Sequence, residues 1–106
     1  MKRILLIDDN VFDYSLLVKR FEDKGVEVHW VTNVFHGKKH LESLQKFDLV
    51  VCDVMGTAYN GHEDLSFIKA KVLLTSGSVL MQDQASGYDF VIKDELVKKI
   101  TELLEK

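Results

Sequence analysis

The segment that most constrains the fold is an apolar run that ends in a single carboxylate. The run Leu49–Cys52 is followed directly by Asp53. A continuous apolar run of this length is typical of a strand buried on both faces of a parallel sheet. Asp53 is then expected at the carboxyl end of its strand, where open α/β sheets place their ligand sites. A second run, Arg3–Ile7, leads in the same way into Asp8 and Asp9, so the sequence predicts three acidic groups in one small volume.

Strand-like and helix-like patterns alternate along the whole chain. Five strands are predicted, over residues 3–7, 26–32, 49–52, 72–75 and 90–92. The helices are predicted from residue 11 to a stop at Gly25, over 33–46, 63–70 and 79–85, and after a cap at Asp94. This alternation implies right-handed crossovers and a parallel sheet with helices on both faces. The sequence therefore predicts one α/β domain over residues 1–106, a doubly wound five-stranded sheet in the flavodoxin-like order 2-1-3-4-5.

Composition narrows the class of partner. At 106 residues the chain is long enough for one core and too short for two. A net charge of −3, with no stripe of lysine and arginine, argues against direct nucleic-acid binding. No apolar run approaches the roughly 20 residues of a membrane span. A single cysteine, which cannot form an internal disulfide, fits a reducing compartment. We therefore expect a cytoplasmic domain without a membrane partner.

The predicted topology collects polar residues at one edge of the sheet. The ends of strands one, three, four and five present Asp8, Asp9, Asp53, Thr75, Ser76 and Lys93. Two unit charges about 4 Å apart repel by roughly 4 kcal/mol at an effective dielectric of 20. Three carboxylates therefore need a cation, a proton or both, and an oxygen-ligated ion such as Mg²⁺ is suitable.

Taken in this order, the residues resemble a response-regulator receiver domain of the CheY-like type. The carboxylate pair follows strand one, Asp53 follows strand three, a threonine follows strand four and Lys93 follows strand five. Gly61, eight residues after Asp53, matches the glycine that usually precedes the third helix in that family. Phe90, three residues before Lys93, matches the family's switch aromatic. The resemblance covers the whole chain.

The resemblance implies a phospho-acceptor site with a metal ion. Asp53 would accept a phosphoryl group from a sensor histidine kinase or a phosphotransfer protein. Asp9 and Asp53 would coordinate Mg²⁺ directly, Asp8 would do so through water, and the backbone carbonyl of Met55 would complete the protein ligands. We therefore expect Mg²⁺ as the cofactor of a two-component signalling protein.

The resemblance also assigns the residues that respond to phosphorylation. Lys93 would hold a phosphoryl oxygen, and the Thr75 hydroxyl would donate to another. Thr75 and Phe90 would form the switch that reaches an unidentified output protein, with a homodimer as an open alternative. Only self-phosphorylation and self-dephosphorylation are expected, so the chain is not expected to be an enzyme with a separate substrate.

Three features depart from the family pattern. Thr75 follows Asp53 by 22 residues and Lys93 follows Thr75 by 18, which predicts shortened third and fourth helices. Lys93 is also followed by Asp94 where the family usually has proline. A cis peptide at that junction would cost about 2.5–4 kcal/mol without proline. We expect either a trans bond with a displaced Lys93 or a strained cis bond retained for function.

Three functions stay open on these residues. The first is a stand-alone receiver, or phosphorelay component, that acts by docking on another protein. The second is a pseudo-receiver, an interaction module that binds its partner regardless of phosphorylation. The third is a Mg²⁺-dependent phosphohydrolase with an aspartyl nucleophile. That class requires an Asp-x-Asp motif after strand one, whereas this chain has Asp8-Asp9-Asn10, so we rank it last.

Overall fold

The computed structural model describes residues 2–33, 39, 46–53, 70–77 and 88–105. Within this part of the chain the strands are β1 (Lys2–Ile7), β2 (Val26–Val31), β3 (Leu49–Asp53), β4 (Lys71–Ser76) and β5 (Asp89–Ile92). The α-helices are α1 (Val11–Phe21) and α2 (Leu96–Leu104), and each adjoins one 3₁₀ turn, Glu22–Lys24 after α1 and Lys93–Glu95 before α2.

The five strands form a single parallel sheet in the order β2-β1-β3-β4-β5. This confirms the predicted architecture, and each predicted strand overlaps an observed one. The helices predicted over 33–46, 63–70 and 79–85 lie almost entirely outside the described residues, and so does the expected shortening of the third and fourth helices. No helix in the described segments is long and apolar enough to span a membrane.

The central strands are apolar on both faces because the sheet is covered on both sides. Alternate residues of a strand point to opposite faces, so each strand contributes to two cores. The first core contains Leu5, Ile7, Val31, Phe47, Val50, Cys52, Val72 and Leu74. The second core, on the face of α1 and α2, contains Ile4, Leu6, Leu17, Phe21, Leu49, Val51, Leu73, Val91, Leu96 and Ile100.

Helix α1 is fixed at both ends by its sequence. The side-chain oxygen of Asn10 accepts a 2.8 Å hydrogen bond from the backbone N–H of Phe12, which caps the first turn. Gly25, with φ 74°, takes the left-handed conformation that ends the helical segment before β2. These two signals place the first turn of α1 at the carboxyl edge of the sheet, directly after β1.

Helix α2 begins later than predicted. The residues after β5 form the 3₁₀ turn, and Glu95 occupies the N-cap position of α2 without a side-chain cap. Asp94 therefore lies in the turn and does not cap the helix. No peptide bond among the described residues is cis, so the bond between Lys93 and Asp94 takes the trans alternative. The turn places Lys93 at the same edge of the sheet as the end of β3.

Candidate functional site

Register between the strands brings the predicted acidic residues together. Ile7 pairs with Cys52 across β1 and β3, so the next residue on each strand, Asp8 and Asp53, comes to the same edge. Asp53 in turn pairs with Thr75 on β4. Asp8 is fully buried and Asp53 nearly so. Carboxylates buried in this way require partners.

The acidic cluster of the described residues consists of Asp8, Asp13 and Asp53. Oxygen atoms of the three carboxylates lie within 4.8 Å of one another. The ammonium of Lys93 lies among them, with its Nζ 2.8 Å from Asp8 Oδ2 and 3.2 Å from Asp53 Oδ2, and it also donates to Asp13 Oδ2. An ammonium has three N–H donors, so the three carboxylates use its full donor capacity. With one cation among three acidic groups, the site is net negative when all are ionised.

Burial and hydrogen bonding shift the pKa values of Asp8 and Lys93. Burial, followed by a hydrogen bond with Asp13, raises the pKa of Asp8 from 3.8 to about 7. Hydrogen bonds from Lys93 and from the Asn10 backbone N–H, 2.9 Å from Asp8 Oδ1, oppose this increase. Burial alone lowers the pKa of Lys93, but Asp13, Asp8 and Asp53 outweigh it, so its pKa lies above the usual value. Lys93 is therefore charged at neutral pH.

The donor set suits a hard cation, because carboxylate oxygens are the ligands that Mg²⁺ prefers. Two of the predicted ligands, Asp8 and Asp53, belong to the acidic cluster. Asp9 is exposed and is not one of the three clustered residues. Met55 lies outside the described residues. The coordination predicted for these residues therefore stays a prediction, and Asp13 is a carboxylate at the site that was not predicted.

A signal for Asp13 was present in the sequence. Asp13 lies four residues before Leu17 and eight before Phe21, the two buried residues of α1. Residues at this spacing share one face of a helix. A carboxylate in line with an apolar stripe faces the protein interior, where it needs a cation or a hydrogen-bond donor. Lys93 provides that partner.

The two predicted switch residues lie on opposite faces of the sheet. Thr75 is fully buried, and its Oγ1 has no hydrogen-bond partner in the described part of the structure. It shares the face of the second core, because its neighbours in the pairing are Asp53 and Val91. Phe90 is partly buried against the first core. The switching role of Thr75 and Phe90 stays a prediction.

An aromatic pair supports the backbone of the site. The indole Nε1 of Trp30 donates a 2.7 Å hydrogen bond to the backbone oxygen of Asp8. Its ring stacks on Tyr14 of α1, with centroids 5.2 Å apart and an interplanar angle of 15°. Trp30 is the only tryptophan in the chain. The tryptophan fluorescence of the protein therefore comes from a side chain that is hydrogen-bonded to the backbone of Asp8.

Comparisons with known proteins show what this chain is similar to. No protein-family model matches the sequence. The chain is 30% identical, over an alignment 116 positions long, to an uncharacterised transcriptional regulatory protein, YbdJ, from Bacillus subtilis strain 168. That alignment covers 97% of the chain but 51% of YbdJ, so the chain spans about half the length of this relative.

Solved structures of response regulators share the fold. The structure of the response regulator TrrA from Thermotoga maritima, in complex with Mg²⁺-BeF, matches with a TM-score of 0.79 and 26% identity. The match covers 97% of this chain and 99% of TrrA. A second response regulator from Thermotoga maritima matches with a TM-score of 0.79 and 21% identity, over 100% and 99% of the two chains, a likeness that shows the fold alone.

Proposed function

We propose that this chain, which by its fold is a receiver domain of the response-regulator type, accepts a phosphoryl group on Asp53 in two-component signalling. The observation that carries the proposal is the position of the Asp53 carboxylate. It ends β3, lies 3.2 Å from the Lys93 ammonium and pairs in register with the buried Thr75. An acceptor oxygen, a cation and an uncommitted hydroxyl thus converge on one edge of the sheet.

The proposed reaction transfers a phosphoryl group from the donor to an oxygen of Asp53. An oxygen of the Asp53 carboxylate forms a bond to phosphorus while the bond between phosphorus and the leaving atom of the donor breaks. For a phosphohistidine donor, the leaving imidazole nitrogen keeps the bonding electron pair and then takes a proton from solvent. The product is an acyl phosphate on Asp53 and a free histidine on the donor.

Electrostatics make a divalent cation necessary for this transfer. The acidic cluster is already net negative, and a phosphoryl donor brings further negative charge. Lys93 offsets only part of it. Mg²⁺, coordinated by Asp9, Asp53 and the Met55 carbonyl and by Asp8 through water, would offset charge on the phosphoryl oxygens. The complex of TrrA with Mg²⁺-BeF supports this part of the proposal.

Thr75 supplies the response to phosphorylation. Its hydroxyl is buried and lacks a partner among the described residues, which is an unfavourable state for a polar group. A phosphoryl oxygen on Asp53 would accept a hydrogen bond from it and remove that cost. The movement of Thr75, with Phe90 on the other face, would bias the surface that an output protein recognises.

The proposed donor is a sensor histidine kinase or a phosphotransfer protein in the cytoplasm. Receiver domains of this fold are signalling domains, so we propose no reaction beyond self-phosphorylation and self-dephosphorylation. Action as a stand-alone receiver, the output partner and homodimer formation stay predictions. YbdJ is about twice the length of the aligned segment, so its activity as a whole protein is not carried over.

The test is labelling with a small phosphoryl donor. Incubation with acetyl phosphate and Mg²⁺ should add one phosphoryl group per chain, measured as intact mass. EDTA and the Asp53→Asn variant should each abolish the gain. Continuous release of phosphate from a small ester, without a labelled chain, would support a phosphohydrolase instead. Absence of labelling in a folded protein that binds Mg²⁺ would favour the phosphorylation-independent module.

A further inference from the structure

We infer that Asp13 is a positioning residue that restrains Lys93 and thereby limits how readily Asp53 is phosphorylated. The inference rests on the proposed function and adds a regulatory element to the same site. It starts from an ion pair between two elements that are distant in sequence, α1 and the turn after β5. The Asp13 carboxylate and the Lys93 ammonium both have most of their surface shielded, with side chains 20% and 22% exposed. Their contact is therefore not an ordinary surface ion pair.

The contact between Asp13 and Lys93 matters because the Lys93 ammonium has only three N–H donors. The three N–H donors of the ammonium are directed at Asp8, Asp13 and Asp53, so none is uncommitted. The donor directed at Asp53 can pass to a phosphoryl oxygen there, but Lys93 can offer a second donor only after Asp8 or Asp13 releases it. The ease of that release then controls how strongly Lys93 assists the transfer.

Asp13 is the carboxylate that Lys93 would release. Asp8 is fully buried, and its hydrogen bonds with Lys93 and with the Asn10 N–H are the ones that favour its ionised form. Losing Lys93 would leave a buried charge poorly compensated. Asp13 is partly exposed, so water can hydrate its carboxylate after release. Asp13 thus competes with the phosphoryl group for one donor, and its removal frees that donor in advance.

The central variant is Asp13→Asn, which keeps the shape of the side chain and removes its charge. We expect labelling of Asp53 by acetyl phosphate at saturating Mg²⁺ to become roughly three- to tenfold faster, the size expected from the net contribution of a single intramolecular hydrogen bond. Asp13→Glu, which restores a carboxylate, should return the rate toward that of the unsubstituted protein. Asp23→Asn is the matched control, since Asp23 is exposed and lies roughly 15 Å further along the helical segment.

A second experiment measures the chemical reactivity of the Lys93 amine without any phosphorylation. The rate at which an amine-acylating reagent modifies Lys93, mapped by peptide mass, should rise in Asp13→Asn and stay unchanged in Asp23→Asn. Unchanged Lys93 reactivity in Asp13→Asn would overturn the inference, whatever happens to labelling. Raised reactivity with equal or slower labelling would refute the regulatory role.

A double variant separates restraint from plain charge repulsion. In a Lys93→Gln background, Asp13→Asn should no longer accelerate labelling, because no ammonium remains to be freed. Acceleration of equal size in both backgrounds would mean that Asp13 only repels the donor, and the inference would be wrong. If the unsubstituted protein fails to label, the proposed function fails, while Lys93 reactivity still decides whether Asp13 restrains Lys93.

Discussion

Replacement of Asp8 by asparagine should stabilise the folded protein at neutral and alkaline pH. Asp8 is fully buried among like charges, and its pKa is raised from 3.8 to about 7. Because the folded-state pKa lies above the unfolded-state value, the protonated carboxyl stabilises the fold below pH 3.8, and this contribution is lost as the pH rises through about 7. Above pH 7 the folded protein contains a buried, ionised Asp8 carboxylate. Asparagine at this position would place an uncharged amide there instead.

The size of the stability change follows from the folded-state and unfolded-state pKa values of Asp8. A difference between 3.8 and 7 corresponds to about 4 kcal/mol, at about 1.4 kcal/mol for each pH unit. At pH 4.5 the folded protein has already lost about 1 kcal/mol of the stability that the protonated Asp8 carboxyl contributes. The free energy of unfolding of Asp8→Asn, relative to the unsubstituted protein, should therefore increase by about 3 kcal/mol between pH 4.5 and pH 8.

The assay is urea denaturation at several pH values in the presence of EDTA, because a bound cation would neutralise part of the repulsion. Asp23→Asn serves as the charge-matched control, since Asp23 is exposed on the turn after α1. The control should change the free energy of unfolding only slightly, because Asp23 is an exposed surface residue. A stability difference for Asp8→Asn that stays flat, or that shrinks as the pH rises, would refute the electrostatic description of the cluster.

Three further predictions concern the supports of the site. Asn10→Ala removes the cap of α1 and should lower the free energy of unfolding by about 1 kcal/mol in urea denaturation, and no loss would contradict the capping role. Thr75→Val removes a buried hydroxyl without a described partner and should raise the stability of the unphosphorylated protein by about 1 kcal/mol, whereas a loss of this size would reveal an unrecognised hydrogen bond. Titration with Mg²⁺ should change the fluorescence of Trp30, which is bonded to the Asp8 backbone, and EDTA should reverse the change. Unchanged Trp30 fluorescence would mean that Mg²⁺ binds elsewhere.

The sheet and the meeting of two carboxylates were predictable because they depend on local pattern and on a topological rule. Continuous apolar runs mark strands buried on both faces, and parallel strands bring their carboxyl ends to one edge. Asp8 and Asp53 therefore had to meet once the strand order was known. The proximity of Lys93 followed from the same rule applied to β5.

Asp13 and Trp30 were harder to predict because their roles depend on how elements pack. The side of α1 that faces the sheet is set by the burial of Leu17 and Phe21, and that choice also directs Asp13 at Lys93. The bond from Trp30 to the Asp8 backbone depends on the neighbouring position of β2 and on its stacking partner in α1. The spacing of Asp13 before Leu17 and Phe21 indicates that it faces inward, but the partner of neither contact has a local sequence signature. The late start of α2, which leaves Asp94 in a 3₁₀ turn, is likewise a detail of chain geometry.

The most direct test of the central claim is to identify which carboxylate carries the phosphoryl group. The three carboxylates of the acidic cluster lie within 4.8 Å of one another, so mass gain alone does not distinguish them. The labelled protein can be reduced with borohydride, which converts an acyl phosphate to an alcohol, and the modified residue can then be located by peptide mass spectrometry. We expect modification at Asp53 alone, dependent on Mg²⁺. Modification at Asp8 or Asp13, or labelling that persists in Asp53→Asn, would contradict it.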